Sequence, residues 1–230
     1  MDAFVAHREG SLTLPLFIFD LDGTLIDSSR DLAISTNAML QHMNRPEIDE
    51  QTVNSYVGDG AAKLVRRALG DGATEDEIEA AYKFFIRYYR DHSLENTHLY
   101  DGIEDVLHAL QQSGSTLAVL TNKPVKISRD ILNGLHVGGY FAQVYGGDSF
   151  SAKKPDPVGI ETIMKETSFQ PEATTMIGDT NVDTKTARAA GVRACGVTWG
   201  FKPATLNDPP VDILARDVRH LPELLLEEER

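Results

Sequence analysis

Short apolar runs alternate with segments of helical periodicity along this chain, and this order constrains its fold more than any other feature of the sequence. The clear runs are residues 16–19, 117–120, 174–177 and 194–197, with weaker ones at 143–145 and 213–214. Helical patterns separate the runs, such as the apolar series Ile103, Val106, Leu107 and Leu110. Strands that alternate with helices predict a Rossmann-like parallel α/β sheet that carries helices on both faces.

Residues 27 to 98 break the alternation, because they show helical patterns and no strand pattern. The apolar faces comprise Leu32, Met39 and Leu40, then Leu64, Val65 and Leu69, then Ile78, Ala81 and Phe85. Thr74 and Glu77 match a capping box at the start of the last of these helices. We therefore predict a loose N-terminal extension at 1–13, an α/β core formed by 14–26 and 99–230, and a helical cap domain at 27–98 inserted after the first strand.

The composition limits the class of protein and of partner. With 230 residues and a formal net charge of −13, the chain lacks the excess of positive charge that binding to a nucleic-acid backbone requires. No stretch reaches the roughly 20 apolar residues of a membrane span, and the first 13 residues lack the apolar region of a signal peptide. The single cysteine, Cys195, fits a reducing compartment. We expect a cytoplasmic monomer or homodimer without nucleic-acid or membrane partners.

Two aspartates follow the first apolar run directly, in the sequence Phe-Asp-Leu-Asp-Gly-Thr at 19–24. On extended backbone the side chains of Asp20 and Asp22 point to the same side of the strand. Carboxylates that lie so close repel each other unless a cation lies between them or one of them is protonated. This one loop can thus supply a nucleophile, an acid or base, and part of a divalent-metal site.

Three later segments add polar side chains near predicted strand ends. They contain Thr121 and Asn122, then Lys153 and Lys154, then Asp179 and Asp183. Taken singly, each segment has an ordinary explanation as a helix cap or a solvated turn. Asp183 in particular can serve as the capping partner of Thr180. Together, at the one edge of a parallel sheet where ligands bind, they indicate a phosphate and metal site, and oxygen ligands of this kind suit Mg²⁺.

The order of these motifs is Asp-x-Asp-Gly-Thr, then Thr, then Lys-Pro, then Gly-Asp-x-x-x-Asp. It resembles the haloacid dehalogenase superfamily of phosphohydrolases, and the resemblance covers nearly the whole chain after the N-terminal extension, including the helical cap. Residues 121–124, 153–157 and 198–200 resemble the phosphoglycolate phosphatases in particular. The resemblance implies a magnesium-dependent phosphatase that hydrolyses a small phosphomonoester, most of all 2-phosphoglycolate, through an aspartyl-phosphate.

The resemblance also implies a role for each motif residue. Asp20 would be the nucleophile and Asp22 the general acid and base. Lys154 would neutralise the phosphate, with the adjacent Lys153 as the alternative. The Mg²⁺ ligands would be Asp20, the backbone carbonyl of Asp22, Asp179 and, partly through water, Asp183. The substrate contacts would include Gly23, Thr24, Thr121 and Asn122.

Other functions stay open at this point. A sugar-phosphate phosphatase, a β-phosphoglucomutase-like mutase or an inorganic pyrophosphatase would share the same core residues. A non-catalytic module that binds a phosphorylated metabolite is a remoter alternative, since such a module is expected to lose one of the motif residues. In the cap, Lys63, Arg66 and Arg67 form either a face that attracts a substrate carboxylate or a solvated face. The loop at 58–60 either reaches the site or only precedes a helix.

Overall fold

The computed structural model describes residues 14–227, so the predicted N-terminal extension lies outside the described residues. The strands are β1 (Leu16–Phe19), β2 (Ile26–Asp27), β3 (His98–Leu99), β4 (Thr116–Leu120), β5 (Gln143–Tyr145), β6 (Thr174–Gly178), β7 (Arg193–Val197) and β8 (Ile213–Ala215). The helices are α1 (Ser29–His42), α2 (Glu50–Tyr56), α3 (Ala61–Leu69), α4 (Glu75–His92), α5 (Ile103–Gln112), α6 (Val125–Gly134), α7 (Val158–Thr167), α8 (Asn181–Ala190) and α9 (Leu221–Glu227). Within 14–227, none of these helices combines the length and apolar character that crossing a membrane requires.

The six predicted apolar runs form one parallel sheet in the order β5-β4-β1-β6-β7-β8. β1 lies between β4 and β6, and Phe19 at its end is in register with Val119 and Ile177. The carboxyl ends of these three strands therefore lie side by side. The predicted parallel α/β fold, with a helical insert after the first strand, is confirmed.

Alternate side chains of each central strand enter two different cores. Phe17 and Phe19 pack on the face that α5, α6 and α9 cover, whereas Leu16 and Ile18 pack on the face that α7 and α8 cover. All four side chains are fully buried. Because successive strand residues point to opposite faces, apolar residues at every position require helices on both faces. The strand ends remain as the edge where polar groups can collect.

The insert contains helices α1 to α4, of which the sequence patterns predict all except α2. Val53 is the only residue of α2 that is buried, so this helix has no apolar face that a periodic pattern could reveal. Its start is fixed by a cap, in which Asp49 accepts a hydrogen bond of 2.8 Å from the backbone N–H of Thr52. α1 packs against α2 and α4, and α3 packs against α4.

A two-stranded antiparallel ribbon joins the helical insert to the sheet. Ile26 of β2 pairs with Leu99 of β3, and Asp27 pairs with His98. The expectation that residues 27–98 contain no strand is therefore wrong at both ends of that range. Strands of two residues are too short to show an alternating pattern, so the sequence could not reveal them.

Asp31 links the segment that enters the insert to the segment that leaves it. It lies in the first turn of α1, and its carboxylate accepts hydrogen bonds from the backbone N–H groups of Asn96 at 3.0 Å and Thr97 at 2.8 Å. The side chains of Asn96 and Thr97 also donate to it, at 2.8 and 2.7 Å. Burial opposes ionisation of this carboxyl, but the hydrogen bonds outweigh burial and lower the pKa of Asp31.

We expect Asp31→Ala to lower the free energy of unfolding by about 3 kcal/mol, because it leaves the backbone N–H of the buried Thr97, and that of Asn96, without an acceptor. Urea titration measures the loss, and Asp71→Ala, at an exposed turn, is the matched control. Since the pKa of Asp31 lies below its ordinary value of 3.8, its stabilisation is present above that value and disappears as the pH falls through the lower, folded-state pKa. A loss of equal size at low and neutral pH would contradict this account.

Candidate active site

Three neighbouring strands end in buried polar side chains at the same edge of the sheet. Asp20 follows β1, Thr121 follows β4 and Asp179 follows β6. All three are almost completely buried, at 6%, 3% and 1% relative exposure. Because β4, β1 and β6 are hydrogen-bonded neighbours, the structure brings these three predicted residues together. Buried polar groups in this number need partners, and the surrounding residues supply only some of them.

Lys154 joins the aspartates through two ion pairs. Its Nζ lies 2.8 Å from Oδ1 of Asp20 and 2.7 Å from Oδ1 of Asp183. Burial alone would lower the pKa of Lys154, but the carboxylates of Asp183 and Asp20 raise it above its ordinary value, so the lysine stays charged. Of the two adjacent lysines, Lys154 therefore reaches the aspartates, whereas the Nζ of Lys153 lies beside Gly60 of the cap.

Asp20, Asp179 and Asp183 form a buried acidic cluster. Each offers one carboxylate oxygen, and these oxygens all lie within 4.8 Å of one another. Burial, helped by the neighbouring carboxylates, raises the pKa of Asp179 to about 8. Burial also raises the pKa of Asp20 to about 6, although Lys154 opposes that shift. Without a cation the cluster thus resists full ionisation, as expected for like charges held in a low dielectric.

The acidic cluster fits a hard divalent cation. Oδ1 of Asp179 is buried and has no hydrogen-bond partner within the described part of the chain, whereas Oδ2 accepts from the backbone N–H of Phe201 at 2.7 Å. A carboxylate with one oxygen held and the other available, beside two further carboxylates, is a suitable ligand set for Mg²⁺. Of the predicted metal ligands, Asp22 stands apart, because its side chain is not in the cluster.

Asp183 is both a helix cap, as one of the two interpretations predicts, and a partner of Lys154 in the site. Its Oδ2 accepts hydrogen bonds from the backbone N–H of Thr180 at 3.1 Å and from the hydroxyl of Thr180 at 2.8 Å, which completes a capping box on α8. Its Oδ1 meanwhile contacts Lys154. One carboxylate therefore both begins a helix and contributes charge to the site.

The side chain of Asp22 points toward the cap and not toward the acidic cluster. Its Oδ1 accepts hydrogen bonds from the hydroxyl of Ser28 at 2.5 Å and from Nζ of Lys123 at 2.6 Å. Ser28 immediately precedes α1, so this contact links the aspartate to the first connection of the insert. The two aspartates of the first motif thus have different surroundings, as two different chemical roles require.

Lys123 is a site residue that the sequence analysis did not single out. Its side chain is 4% exposed, and its Nζ lies 4.6 Å from the centre of the Tyr89 ring of α4. Burial would lower the pKa of Lys123, but the Asp22 carboxylate raises it above its ordinary value. The available signal was its position, two residues after the strand-end Thr121. A lysine there is indistinguishable by sequence from a solvated one.

The predicted substrate contacts fall into two groups. Thr121 and Asn122 line the cavity described below. The side-chain amide of Asn122 is already occupied, because its Nδ2 donates to the carbonyl of Gly58 in the cap at 2.9 Å and to that of Lys154 at 3.0 Å. Gly23 and Thr24 do not line the cavity. The Thr24 carbonyl instead accepts a hydrogen bond of 3.1 Å from Nε1 of Trp199.

A cavity of about 40 Å³ lies between the acidic edge of the sheet and the cap. Its polar floor consists of Asp20, Asp22, Thr121, Asn122 and Lys123. Its apolar roof consists of Leu32, Val57, Leu64, Phe85 and Ile86. Gly58 and Gly60 also line it, so the 58–60 loop reaches the site. The small space, with charge on one side only, suits a compact anionic substrate.

The basic stripe of α3 lies outside this cavity. Lys63 and Arg67 pair with Asp59 at 3.4 and 2.6 Å, and Arg66 makes a two-pronged pair with Glu75, at 2.7 Å for both contacts. None of the three lysine and arginine side chains lines the cavity. The structure therefore favours the solvated-face interpretation of this stripe over attraction of a substrate carboxylate.

Comparison with known proteins gives consistent matches. The family model described as haloacid dehalogenase-like hydrolase matches residues 17–197. "Phosphoglycolate phosphatase 1" of Pseudomonas aeruginosa is 40% identical over 192 residues, which cover 81% of this chain and 70% of the relative. "Phosphoglycolate phosphatase" of Vibrio vulnificus is 36% identical over 222 residues, which cover 93% of this chain and 96% of the relative.

A solved structure agrees with the sequence relatives. The crystal structure of a predicted phosphoglycolate phosphatase from Haemophilus somnus superposes with a TM-score of 0.86 at 31% sequence identity. The superposition covers 91% of this chain and 97% of the other. The similarity therefore extends over the sheet and the helical insert together, and is not confined to the motif residues.

Proposed function

Because the chain belongs to the haloacid dehalogenase-like hydrolase family, we propose that it is a magnesium-dependent phosphatase acting on a small phosphomonoester, with 2-phosphoglycolate as the best candidate. The observation that carries the proposal is the buried group of Asp20, Lys154 and Asp183, joined by ion pairs of 2.8 and 2.7 Å beside a small cavity. Such a group provides a nucleophile and charge neutralisation, which are the main requirements of phosphoryl transfer.

In the proposed reaction Asp20 is the nucleophile. One of its carboxylate oxygens forms a bond to phosphorus while the bond from phosphorus to the substrate oxygen breaks, which leaves an aspartyl-phosphate and an alcohol. Lys154 supports this step, since its ammonium group lies against Asp20 and offsets negative charge on the transferring group. In this proposal the Thr121 hydroxyl, at the neighbouring strand end, donates to a phosphoryl oxygen.

Asp22 is the proposed general acid and base. In the first step it gives a proton to the leaving oxygen, and in the second it accepts a proton from the water that attacks the aspartyl-phosphate. Ser28 and Lys123 hold the Asp22 carboxylate on the cap side, where the leaving group would lie. Bound at Asp20, Asp179 and Asp183, with the backbone carbonyl of Asp22, Mg²⁺ would offset repulsion between the nucleophile and the phosphate.

The choice of substrate follows from the relatives and from the cavity. The two relatives above carry the name phosphoglycolate phosphatase. The cavity of about 40 Å³ favours a molecule of few atoms over a sugar phosphate or a nucleotide with the cap in this position. The cap would then exclude bulk water from the aspartyl-phosphate, as closing lids do in other enzymes.

A panel of phosphate esters tests the proposal. Purified protein is assayed for phosphate release with Mg²⁺ and with EDTA, using 2-phosphoglycolate, glucose phosphates, a nucleoside monophosphate and pyrophosphate. We expect release only with the metal and the highest kcat/KM for 2-phosphoglycolate. Preference for a glucose phosphate or for pyrophosphate would contradict the proposed substrate but not the proposed chemistry. A requirement for a hexose bisphosphate would indicate a mutase. Binding without phosphate release would indicate a non-catalytic module.

A further inference from the structure

The segment Trp199–Lys202, here called the brace, lies against the acidic cluster and has no role in the reaction described above. It follows β7, the strand next to β6, at the same edge of the sheet. Nε1 of Trp199 donates to the Thr24 carbonyl, so the brace is fixed to the loop that carries Asp20 and Asp22. One short segment therefore connects both of the loops that supply metal ligands.

The brace also holds one oxygen of Asp179 and leaves the other available. The backbone N–H of Phe201 donates to Oδ2 at 2.7 Å, and that of Lys202 lies 3.3 Å from the same oxygen. Oδ1 is buried and has no hydrogen-bond partner among residues 14–227. Because Asp179 is 1% exposed, this oxygen is shielded from bulk solvent. The two donors thus fix which oxygen remains for a ligand.

Gly200 allows this close approach. A Cβ at this position would lie less than 3.0 Å from Cβ and Oδ2 of Asp179 and from the carbonyl oxygen of Gly23. The backbone of Gly200 does not have a positive φ, so the requirement is for space and not for conformation. Any side chain at this position must push the brace away from Asp179 or turn the carboxylate.

We propose that the brace is a positioning element for the cation: by holding Oδ2 of Asp179, it orients Oδ1 toward the acidic cluster and so sets the affinity for the divalent metal. The inference rests on the metal dependence proposed above. Groups that orient metal ligands typically change metal affinity by about 10- to 100-fold when they are altered. In this proposal the brace contacts neither the phosphate nor the nucleophile. A change in the brace should therefore alter the affinity for the metal more than the kcat of the metal-loaded enzyme.

Two variants and a control test the brace. Gly200→Ala forces the brace away from Asp179, and Trp199→Phe removes the donor to Thr24 while keeping an aromatic ring. Gly139→Ala is the matched control, because a Cβ at Gly139 meets nothing within 4 Å. The readout is the Mg²⁺ concentration that gives half of the maximal rise in melting temperature, measured in the absence of substrate. The same proteins are then assayed for the KM for Mg²⁺ and for kcat at saturating Mg²⁺.

We expect Gly200→Ala to raise the half-maximal Mg²⁺ concentration by about 10- to 100-fold, with a smaller increase in Trp199→Phe and none in the control. At saturating Mg²⁺ the kcat of each variant that folds should stay within about threefold of wild type. If the wild type is stabilised by Mg²⁺ and both variants bind it equally well, the brace has no such role although the proposed function stands. If Mg²⁺ does not stabilise the wild type at all, both proposals fail. Should Gly200→Ala not fold, Trp199→Phe decides alone.

Discussion

Asp20→Asn is expected to abolish phosphatase turnover, with a loss of at least about 10⁴-fold in kcat at saturating Mg²⁺. The amide is a poor nucleophile and cannot form the acyl phosphate, while it has nearly the same size and keeps an oxygen that can accept a hydrogen bond from Lys154. Steady-state phosphate release measures the loss, and acid quench during turnover with radiolabelled substrate measures the covalent phosphoenzyme directly. The wild type should retain label on the protein and the variant should not.

Asp71→Asn is the control for this experiment, because Asp71 lies in an exposed turn of the cap. It makes the same chemical change and should keep wild-type rates. Thermal unfolding of both variants shows whether the folded state is preserved, since the amide at position 20 also removes one charge from the buried ion pairs. A folded Asp20→Asn protein that hydrolysed substrate at rates close to those of the wild type would rule out a covalent intermediate at this position.

Asp22→Asn is expected to have an effect that depends on the leaving group. For an alkyl phosphate such as 2-phosphoglycolate, loss of the general acid should lower kcat by about 10²- to 10⁴-fold. For p-nitrophenyl phosphate, whose leaving group needs no proton, formation of the aspartyl-phosphate should be affected much less. Two losses are compared: the loss in the rate of the nitrophenol burst with p-nitrophenyl phosphate, and the loss in steady-state phosphate release with 2-phosphoglycolate. The ratio of these losses isolates proton transfer from damage to the fold.

Lys123 complicates this variant and also offers a check on it. Asp22→Asn removes the charge that faces the buried Nζ of Lys123 at 2.6 Å, so some stability is lost as well. The double variant Asp22→Asn with Lys123→Met removes both charges and should recover part of the melting temperature without recovering turnover of alkyl phosphates. If instead Asp22→Asn slowed formation of the aspartyl-phosphate equally with both substrates, Asp22 would have no role as the general acid.

The sheet and most of its edge could be predicted from the sequence because each depends on local patterns. Apolar runs become buried strands wherever helices cover both faces, and the residue after each run must then lie at the edge. The apolar runs therefore predict that Asp20, Thr121 and Asp179 lie at this edge. The family resemblance added a preference for Lys154 over Lys153, and family membership is confirmed by the comparisons. The assigned chemical roles remain predictions.

The features that could not be predicted depend on contacts between distant segments. The Asp22–Lys123 pair joins residues that are 101 positions apart, and the Asp31 contacts with Asn96 and Thr97 span 65 and 66 positions. Nothing in either local sequence distinguishes such a lysine or aspartate from a solvated one. The ribbon of β2 and β3 and the helix α2 were missed for a different reason: each is too short, or too exposed, to show a period.

The antiparallel ribbon has a consequence for how proteins of this architecture can diversify. Beside it, the backbone N–H of Tyr100 donates to the carbonyl of Leu25 at 3.1 Å, so the chain leaves the sheet and returns to it at almost the same point. The roughly seventy intervening residues therefore act as one large surface loop inserted after the first strand. The entropic cost of closing such a loop grows only slowly with its length. Evolution, or an engineer, can therefore exchange that segment for another with the same end spacing. Such an exchange alters which molecules are admitted and leaves the hydrolytic edge in place.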